Sequence, residues 1–496
     1  MIRMQVGIAA VLFAVTVEAA VEFGTPFTDG AVLQRERPVP VWGTADAGEK
    51  VTVSFAGQVK QSVADASGAW RVTLDPLPAS RESRDLIATG SSGRTIARDI
   101  LVGEVWMCSG QSNADCPIWG GNPRYRDGLG GLTLQMTRKP WVRLVKTTHT
   151  MALGPKTDYK AKWLKMVPES FSLDGKPQLP SAMGYYFALE LANALEIPIG
   201  LVDSSVGGTS IDAWTPRCGY DGKPGFDLER NWEIVSVSAW TNTMRRGPIT
   251  GPYQQPSTLW YGMVAAYAPM AVRGVIWYQG CHNVSPKEEA SRHCAKLHAL
   301  YDGWAREFAN PDIKWYLVEL APFESHWFFD VRCQQAKFAA EEKNAALAVI
   351  NDAGNLKDIH PNDKRTVAKR LAAHALRRDY GWNGIRDESP TLVSATAEGE
   401  TAVLSFRDVE RWYVYNPSRD DTAIGFELAG TNGVYVSAEV VNFDKKKWIL
   451  DGTNVILRAK GVVRPAKVRY LWERPWYGSL LNEVGLPVGS FESEVR

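Results

Sequence analysis

Ser112 lies in the stretch Val105-Trp106-Met107-Cys108-Ser109-Gly110-Gln111-Ser112-Asn113. An apolar run empties there into a small polar turn, the pattern of a buried strand reaching the surface. A hydroxyl at such a turn has free backbone N–H groups around it. Acyl transfer needs that arrangement, a nucleophile beside donors for an oxyanion. Ser-Gly and Ser-Asn pairs are also ordinary turn residues, so Ser112 gains meaning from a second segment far downstream. That segment is Asp358-Ile359-His360-Pro361-Asn362-Asp363-Lys364. An imidazole with a carboxylate two residues away suits a general base and its orienting partner.

These residues need elements to position them. Residues 366–380 carry Val367, Leu371, Ala375 and Leu376 at helical spacing. Asn362 or Asp363 is the candidate cap of that helix, which leaves His360 in the preceding loop, fixed by Pro361. Between about residues 100 and 382, apolar runs at 199–202, 274–278, 315–320 and 347–350 alternate with helical patterns such as 183–195. That alternation argues for a parallel α/β core. Sites in such sheets form where strand C-termini open onto loops. Ser112 follows the first strand, residues 204–210 the second and residues 279–283 the third, while His360 follows the last. Residues 21–97 show short alternating strands such as Val51-Thr52-Val53-Ser54-Phe55, with Gly-containing turns between them. Strand patterns return after about residue 389. The division expected is a leader over 1–19, an N-terminal β-domain over 20–99, a catalytic α/β domain over 100–385 and a C-terminal β-domain over 386–496.

The chain of 496 residues is 45% hydrophobic with a net charge of +1, a globular composition with no electrostatic case for nucleic acid or a membrane surface. Arg3, an apolar run over 6–17 and small residues before a cleavage point after Ala19 read as a secretion signal. A secreted or periplasmic location follows, with no membrane attachment once the leader is removed. The 19 tryptophans fit stacking on sugar rings, and equally fit large cores, the reading preferred for most of them. Six cysteines occur without a CxxC pair, so no metal is expected.

Gly110-Gln111-Ser112-Asn113 and Asp358-Ile359-His360-Pro361 together resemble the sialate O-acetylesterase family of SGNH (GDSL-like) serine hydrolases. The resemblance extends through Asp29-Gly30-Ala31-Val32-Leu33-Gln34, Gly207-Gly208-Thr209-Ser210-Ile211-Asp212-Ala213-Trp214, Gly274-Val275-Ile276-Trp277-Tyr278-Gln279-Gly280 and Asn482-Glu483-Val484-Gly485-Leu486-Pro487. It implies an SGNH-hydrolase-like parallel-sheet core flanked by N- and C-terminal β-sandwich-like domains. It also implies a serine nucleophile, no cofactor, and removal of O-acetyl groups from sugars, as in a sialate 9-O-acetylesterase. On that pattern Ser112, His360 and Asp358 are catalytic, and Gly207, Gly208, Gln279 and Asn283 serve the oxyanion. Gln111, Asn113, Trp214 and Cys281 line the substrate side. The third block departs from the family at Cys281, where a glutamate is usual. A thiol is mostly neutral near pH 7, so Asp358 becomes the better partner for His360, and His282 is a further newcomer. A Cys116–Cys281 bridge is a hypothesis that follows from the same block. A sialate substrate would need a cation for its carboxylate, and Arg124, Arg126, Arg217 and Arg332 are candidates. Two alternatives stand beside the sialate reading: an acetylesterase of plant or algal polysaccharide, and a weakened carbohydrate-binding relative.

Overall fold

Apolar strands hidden on both faces set the centre of the molecule. In this computed structural model, which describes residues 21–91, 93–119, 128–157, 159–171, 179–231, 252–323, 327–354, 356–414, 425–444, 449–472 and 480–496, every residue of Ile199–Ser205 and Gly274–Tyr278 is buried. Such continuous burial is the mark of a parallel sheet covered on two sides. The expected leader over 1–19, together with Arg124 and Arg126, lies outside the described residues.

The parallel strands run side by side in the order Lys139–Lys146, Ile199–Ser205, Gly93–Gly110, Gly274–Tyr278, Lys314–Val318 and Ala345–Ala348, with Leu164–Met166 antiparallel at one edge. The first of these parallel strands in the chain, Gly93–Gly110, therefore sits inside the sheet, and chain order reverses around it. Side chains alternate between two cores. Val105 and Met107 join one apolar cluster with Trp214, Leu297 and Trp304. Trp106 and Cys108 join another with residues of the helices Ala182–Leu195 and Lys364–Tyr380. The result is helix on sheet on helix.

The strand Gly93–Gly110 has a double role. Its first half pairs antiparallel with Ser80–Gly90, and its second half is the central parallel strand. The border drawn from the sequence at 99/100 falls inside this one strand. Strands such as Val39–Thr44 and Ala69–Leu74 bury alternate residues, in contrast to the parallel strands, and pair in a separate three-stranded sheet. Glu104 fastens the N-terminal region to the core. Its buried carboxylate accepts from Arg35 Nε at 2.5 Å, Arg273 Nε at 2.9 Å and Gln34 Nε2 at 3.0 Å. Burial pushes this carboxyl up, but the Arg273 and Arg35 guanidiniums outweigh that and hold it below its ordinary range.

Among the described residues, the C-terminal strands form a seven-stranded and a four-stranded sheet with a separate apolar core. They dock on the α/β part through Arg332 Nη2, which donates to Leu471 O at 3.1 Å, and Asn351 Nδ2, which donates to Val488 O at 2.9 Å. Arg332 is thereby buried as a structural tie. No described helix is long and apolar enough to cross a membrane.

Candidate active site

The loops at the carboxyl ends of the central strands converge on Ser112. Gly110 ends its strand with φ +136°, and a Cβ there would stand 2.2 Å from Tyr278 O. Only glycine permits that approach. The chain then turns, Gln111 N–H donates to Tyr278 O at 3.0 Å, and Ser112 opens the short helix Ser112–Asp115.

His360 arrives from the opposite side. Asp363 caps the helix Lys364–Tyr380, its carboxylate accepting from Thr366 N–H at 3.0 Å, which resolves the choice between Asn362 and Asp363. The loop before that cap carries Asp358 and His360. Asp358 Oδ1 accepts from the His360 backbone N–H at 2.9 Å and lies 3.2 Å from His360 Nδ1. With Nδ1–H directed at that carboxylate, Nε2 is the bare nitrogen, and it stands 2.8 Å from Ser112 Oγ. Burial lowers the His360 pKa, and the Lys364 ammonium lowers it further against the opposing pull of Asp358. The imidazole is therefore neutral at pH 7, ready to take a proton.

Gly207 passes directly against the serine, so close that a Cβ on it would lie 3.3 Å from Ser112 Cβ. Gly208 turns with φ +72°, and its carbonyl accepts from Gln254 Nε2 at 2.9 Å. The two amide side chains expected at the oxyanion are engaged elsewhere. Gln279 Nε2 donates to Thr209 O at 3.2 Å and to Asn283 Oδ1 at 2.5 Å. Asn283 Oδ1 also accepts from Ile211 N–H, and its Nδ2 donates to Glu289 Oε1 at 2.7 Å. Both side chains are buried scaffolding for the glycine turn: the two N–H groups of Gln279 and one of those on Asn283 are tied to neighbours.

Three of the four expected substrate contacts also prove internal. Trp214 is fully enclosed, with Nε1 donating to Thr209 Oγ1 at 3.0 Å, so it has no face for a sugar. Gln111 Oε1 accepts from the N–H groups of Gly280 and His282 and holds that turn in place. Asn113 Nδ2 donates to Ile359 O at 2.8 Å, and its Oδ1 accepts from Lys364 Nζ at 2.6 Å. Cys281 is half-buried. Burial pushes its thiol up to about 12, and it is not bonded to Cys116; the expected bridge is not formed.

Lys364 is the residue that motif reading missed. Its ammonium is fully buried, donates to Asn113 Oδ1 and to Pro361 O at 2.6 Å each, and lies 5.5 Å from the centre of the Tyr278 ring. It ties the helix Ser112–Asp115 to the loop that carries His360. Burial lowers its pKa to about 8. A cue was present: a lysine opening a helix opposes the helix dipole. A second tie lies under Asp115, which pairs with Lys146 Nζ at 2.6 Å and with His149 Nε2 at 3.2 Å.

The model of a carbohydrate esterase family, sialic acid-specific acetylesterase, matches residues 102–377, more than half of the chain. The sialate O-acetylesterase of Rattus norvegicus is 28% identical over 406 residues, spanning 72% of this chain and 73% of that protein. The sialate O-acetylesterase of Homo sapiens is 28% identical over 403 residues, spanning 74% and 73%. Among solved structures, a carbohydrate acetylesterase from Xanthomonas citri superposes with a TM-score of 0.80 at 29% identity, over 96% of this chain and 99% of that one.

Proposed function

We propose, for a chain that belongs to the sialic acid-specific acetylesterase family of carbohydrate esterases and is a carboxylic-ester hydrolase, that Ser112 is the nucleophile that removes O-acetyl groups from sugars on an SGNH-type core. The observation that carries this reading is the 2.8 Å contact between Ser112 Oγ and His360 Nε2.

In the first step His360 takes the Ser112 proton as Oγ attacks the acetyl carbonyl. Charge develops on the carbonyl oxygen where the main chain of Ser112 and Gly207 meets, and backbone N–H groups there stabilise it. The sugar alcohol leaves with the proton from His360, and the acetyl group stays on Ser112. Water then attacks, His360 again acting as base, and acetate departs. Asp358 keeps Nδ1 protonated and offsets the imidazolium charge formed in each step. Gln279, Asn283, Gln111 and Asn113 hold the loops that carry these groups.

The substrate class rests on kinship with acetylesterases of sugars. Sialic acid in particular would call for a cation beside its carboxylate. Arg332 is sealed beneath the C-terminal strands and does not provide it.

Acetate release from a small acetyl ester tests the mechanism. Wild type should turn over, and Ser112→Ala should lose activity on the order of 10⁶-fold, the scale seen when a serine nucleophile is removed. Retention of activity in Ser112→Ala would discard the serine mechanism.

A further inference from the structure

The two helices His293–Glu307 and Trp327–Glu341 pack against each other beside the sheet. Cys294 and His298 are one turn apart on the first helix, so their side chains share a face. Glu341, the last residue of the second helix, reaches across to both. Its Oε2 lies 3.5 Å from Cys294 Sγ and 3.0 Å from His298 Nε2, and one ligating atom from each of the three residues falls within 4.8 Å of the others. The second carboxylate oxygen, Oε1, faces Lys337 Nζ at 3.8 Å, which leaves Oε2 turned toward the thiol and the imidazole. The His298 ring is held against Phe338, with centroids 4.8 Å apart and planes at 66°.

From this arrangement we propose that Cys294, His298 and Glu341 form a zinc-binding site that clamps the two helices together. In a tetrahedral zinc site, with Zn–S of about 2.3 Å and Zn–N and Zn–O of about 2.0–2.2 Å, neighbouring donor atoms stand about 3.3–3.6 Å apart. The two separations from Glu341 Oε2, 3.5 and 3.0 Å, are close to that already, and all three donor atoms lie within 4.8 Å of one another. A thiolate, an imidazole and a carboxylate together select a borderline-soft divalent cation, neither calcium nor magnesium. Cys294 is buried, whereas the Glu341 side chain is 46% exposed. A water therefore has access to the fourth position, and the metal has a way in. The expectation of no metal rested on the lack of CxxC pairs. The cue present instead was Cys294 and His298 four residues apart on a helix, with the third ligand supplied from a distant part of the chain.

The test uses the full chain, reduced and stripped with a chelator. Zinc chloride is titrated calorimetrically, and cobalt(II) is titrated as a spectroscopic stand-in. One equivalent of zinc should bind, cobalt should give a thiolate-to-metal charge-transfer band, and zinc should raise the urea midpoint. Cys294→Ala should abolish the charge-transfer band, and His298→Ala should weaken binding by roughly tenfold or more. Both replacements trim side chains at one face of a helix, and a circular dichroism spectrum matching wild type shows that each has folded. Zinc uptake by Ser112→Ala should equal that of wild type, so the clamp and the serine mechanism stand or fall separately. Absence of zinc uptake by wild type, or equal uptake by wild type and both variants, would overturn the proposal.

Discussion

Replacing Asp358 with asparagine removes a charge and little else. The carboxylate makes two contacts, one to the His360 backbone N–H at 2.9 Å and one to Nδ1 at 3.2 Å. An asparagine oxygen can keep the backbone contact, so the loop retains its shape. What is lost is the charge facing the imidazolium that forms during each proton transfer. Two unit charges about 4 Å apart interact by ~4 kcal/mol at an effective dielectric of 20 and ~1 kcal/mol in bulk water. The Asp358 and His360 side chains are 26% and 14% exposed, which places the pair between those limits, at about 2–3 kcal/mol. That corresponds to roughly a 10²-fold loss in kcat, smaller than the ~10⁴-fold reported for a fully buried triad aspartate. KM should change little, because the charge matters only once the proton has moved. The pH profile gives an independent reading. Burial holds the His360 pKa low and Asp358 pulls it up. Activity needs the neutral imidazole and is lost as pH falls through that pKa. Without Asp358 the pKa falls further, so the acid limb should move to lower pH. Acetate release measured across pH at saturating ester reads both effects. A kcat within about threefold of wild type, with the acid limb unmoved, would refute the role given to Asp358.

Gly207 and Gly208 should separate activity from stability. Gly207→Ala places a methyl 3.3 Å from Ser112 Cβ and should lower kcat by roughly tenfold or more with an unchanged urea midpoint, since misplacement at the reacting atoms costs rate. Gly208→Ala meets open space but sits at φ +72°, so it should cost about 1–2 kcal/mol of stability in urea unfolding and little rate. Cys281→Glu should change kcat by less than about threefold, because Asp358 already orients His360 and the Cys281 thiol carries no charge for the glutamate to replace; acetate release checks it. The new carboxylate would face the Lys364 ammonium, so the same variant should raise Tm. Glu104→Ala strands Arg35 and Arg273 and should cost roughly 3–5 kcal/mol in urea unfolding. The Glu104 carboxyl is held below its usual range. Its stabilisation is thus complete above the unfolded-state pKa and is lost as pH falls through the folded value, and the wild type should lose stability in acid more steeply than the variant.

Ser112 and His360 stood out in the sequence because each lies among local marks. A polar turn after an apolar run, and a capped helix after His-Pro, are each fixed by a few neighbouring residues, and the structure brings Ser112 and His360 together from such marks. The strands at 199–202 and 274–278 were legible for a related reason, since burial on both faces forces continuous apolar runs; the first extends to Ser205 through polar residues that the pattern did not include. The strand Lys139–Lys146 escaped notice because charged residues interrupt it, among them Arg143, which pairs with Asp99 at 3.0 Å. Sequence spacing also could not show that Gly93–Gly110 is a single strand serving two sheets, because pairing partners are set by distant segments.

The groups behind Ser112 and His360 follow a different rule, and this explains why Gln279 and Asn283 read from the sequence as oxyanion donors and Gln111 and Asn113 as substrate contacts. An amide beside a nucleophile has the same composition whether it faces a ligand or a neighbouring loop. What decides between them is whether its N–H groups already have partners, and those partners can lie far along the chain, as Thr209 does for Gln279 and Ile359 for Asn113. Buried polar groups must be paired. A loop cluster that delivers a serine and a histidine from distant segments therefore needs internal amides to satisfy its own backbone before any are left for substrate. Lys364 shows the strength of that demand. A fully buried ammonium carries a large desolvation cost, and its pKa is lowered to about 8 as a result. It is nevertheless placed where it bonds both the nucleophile helix and the histidine loop. Holding Ser112 and His360 at 2.8 Å accounts for its position better than any direct role in the chemistry, because its donors point at Asn113 and Pro361 rather than toward the serine hydroxyl.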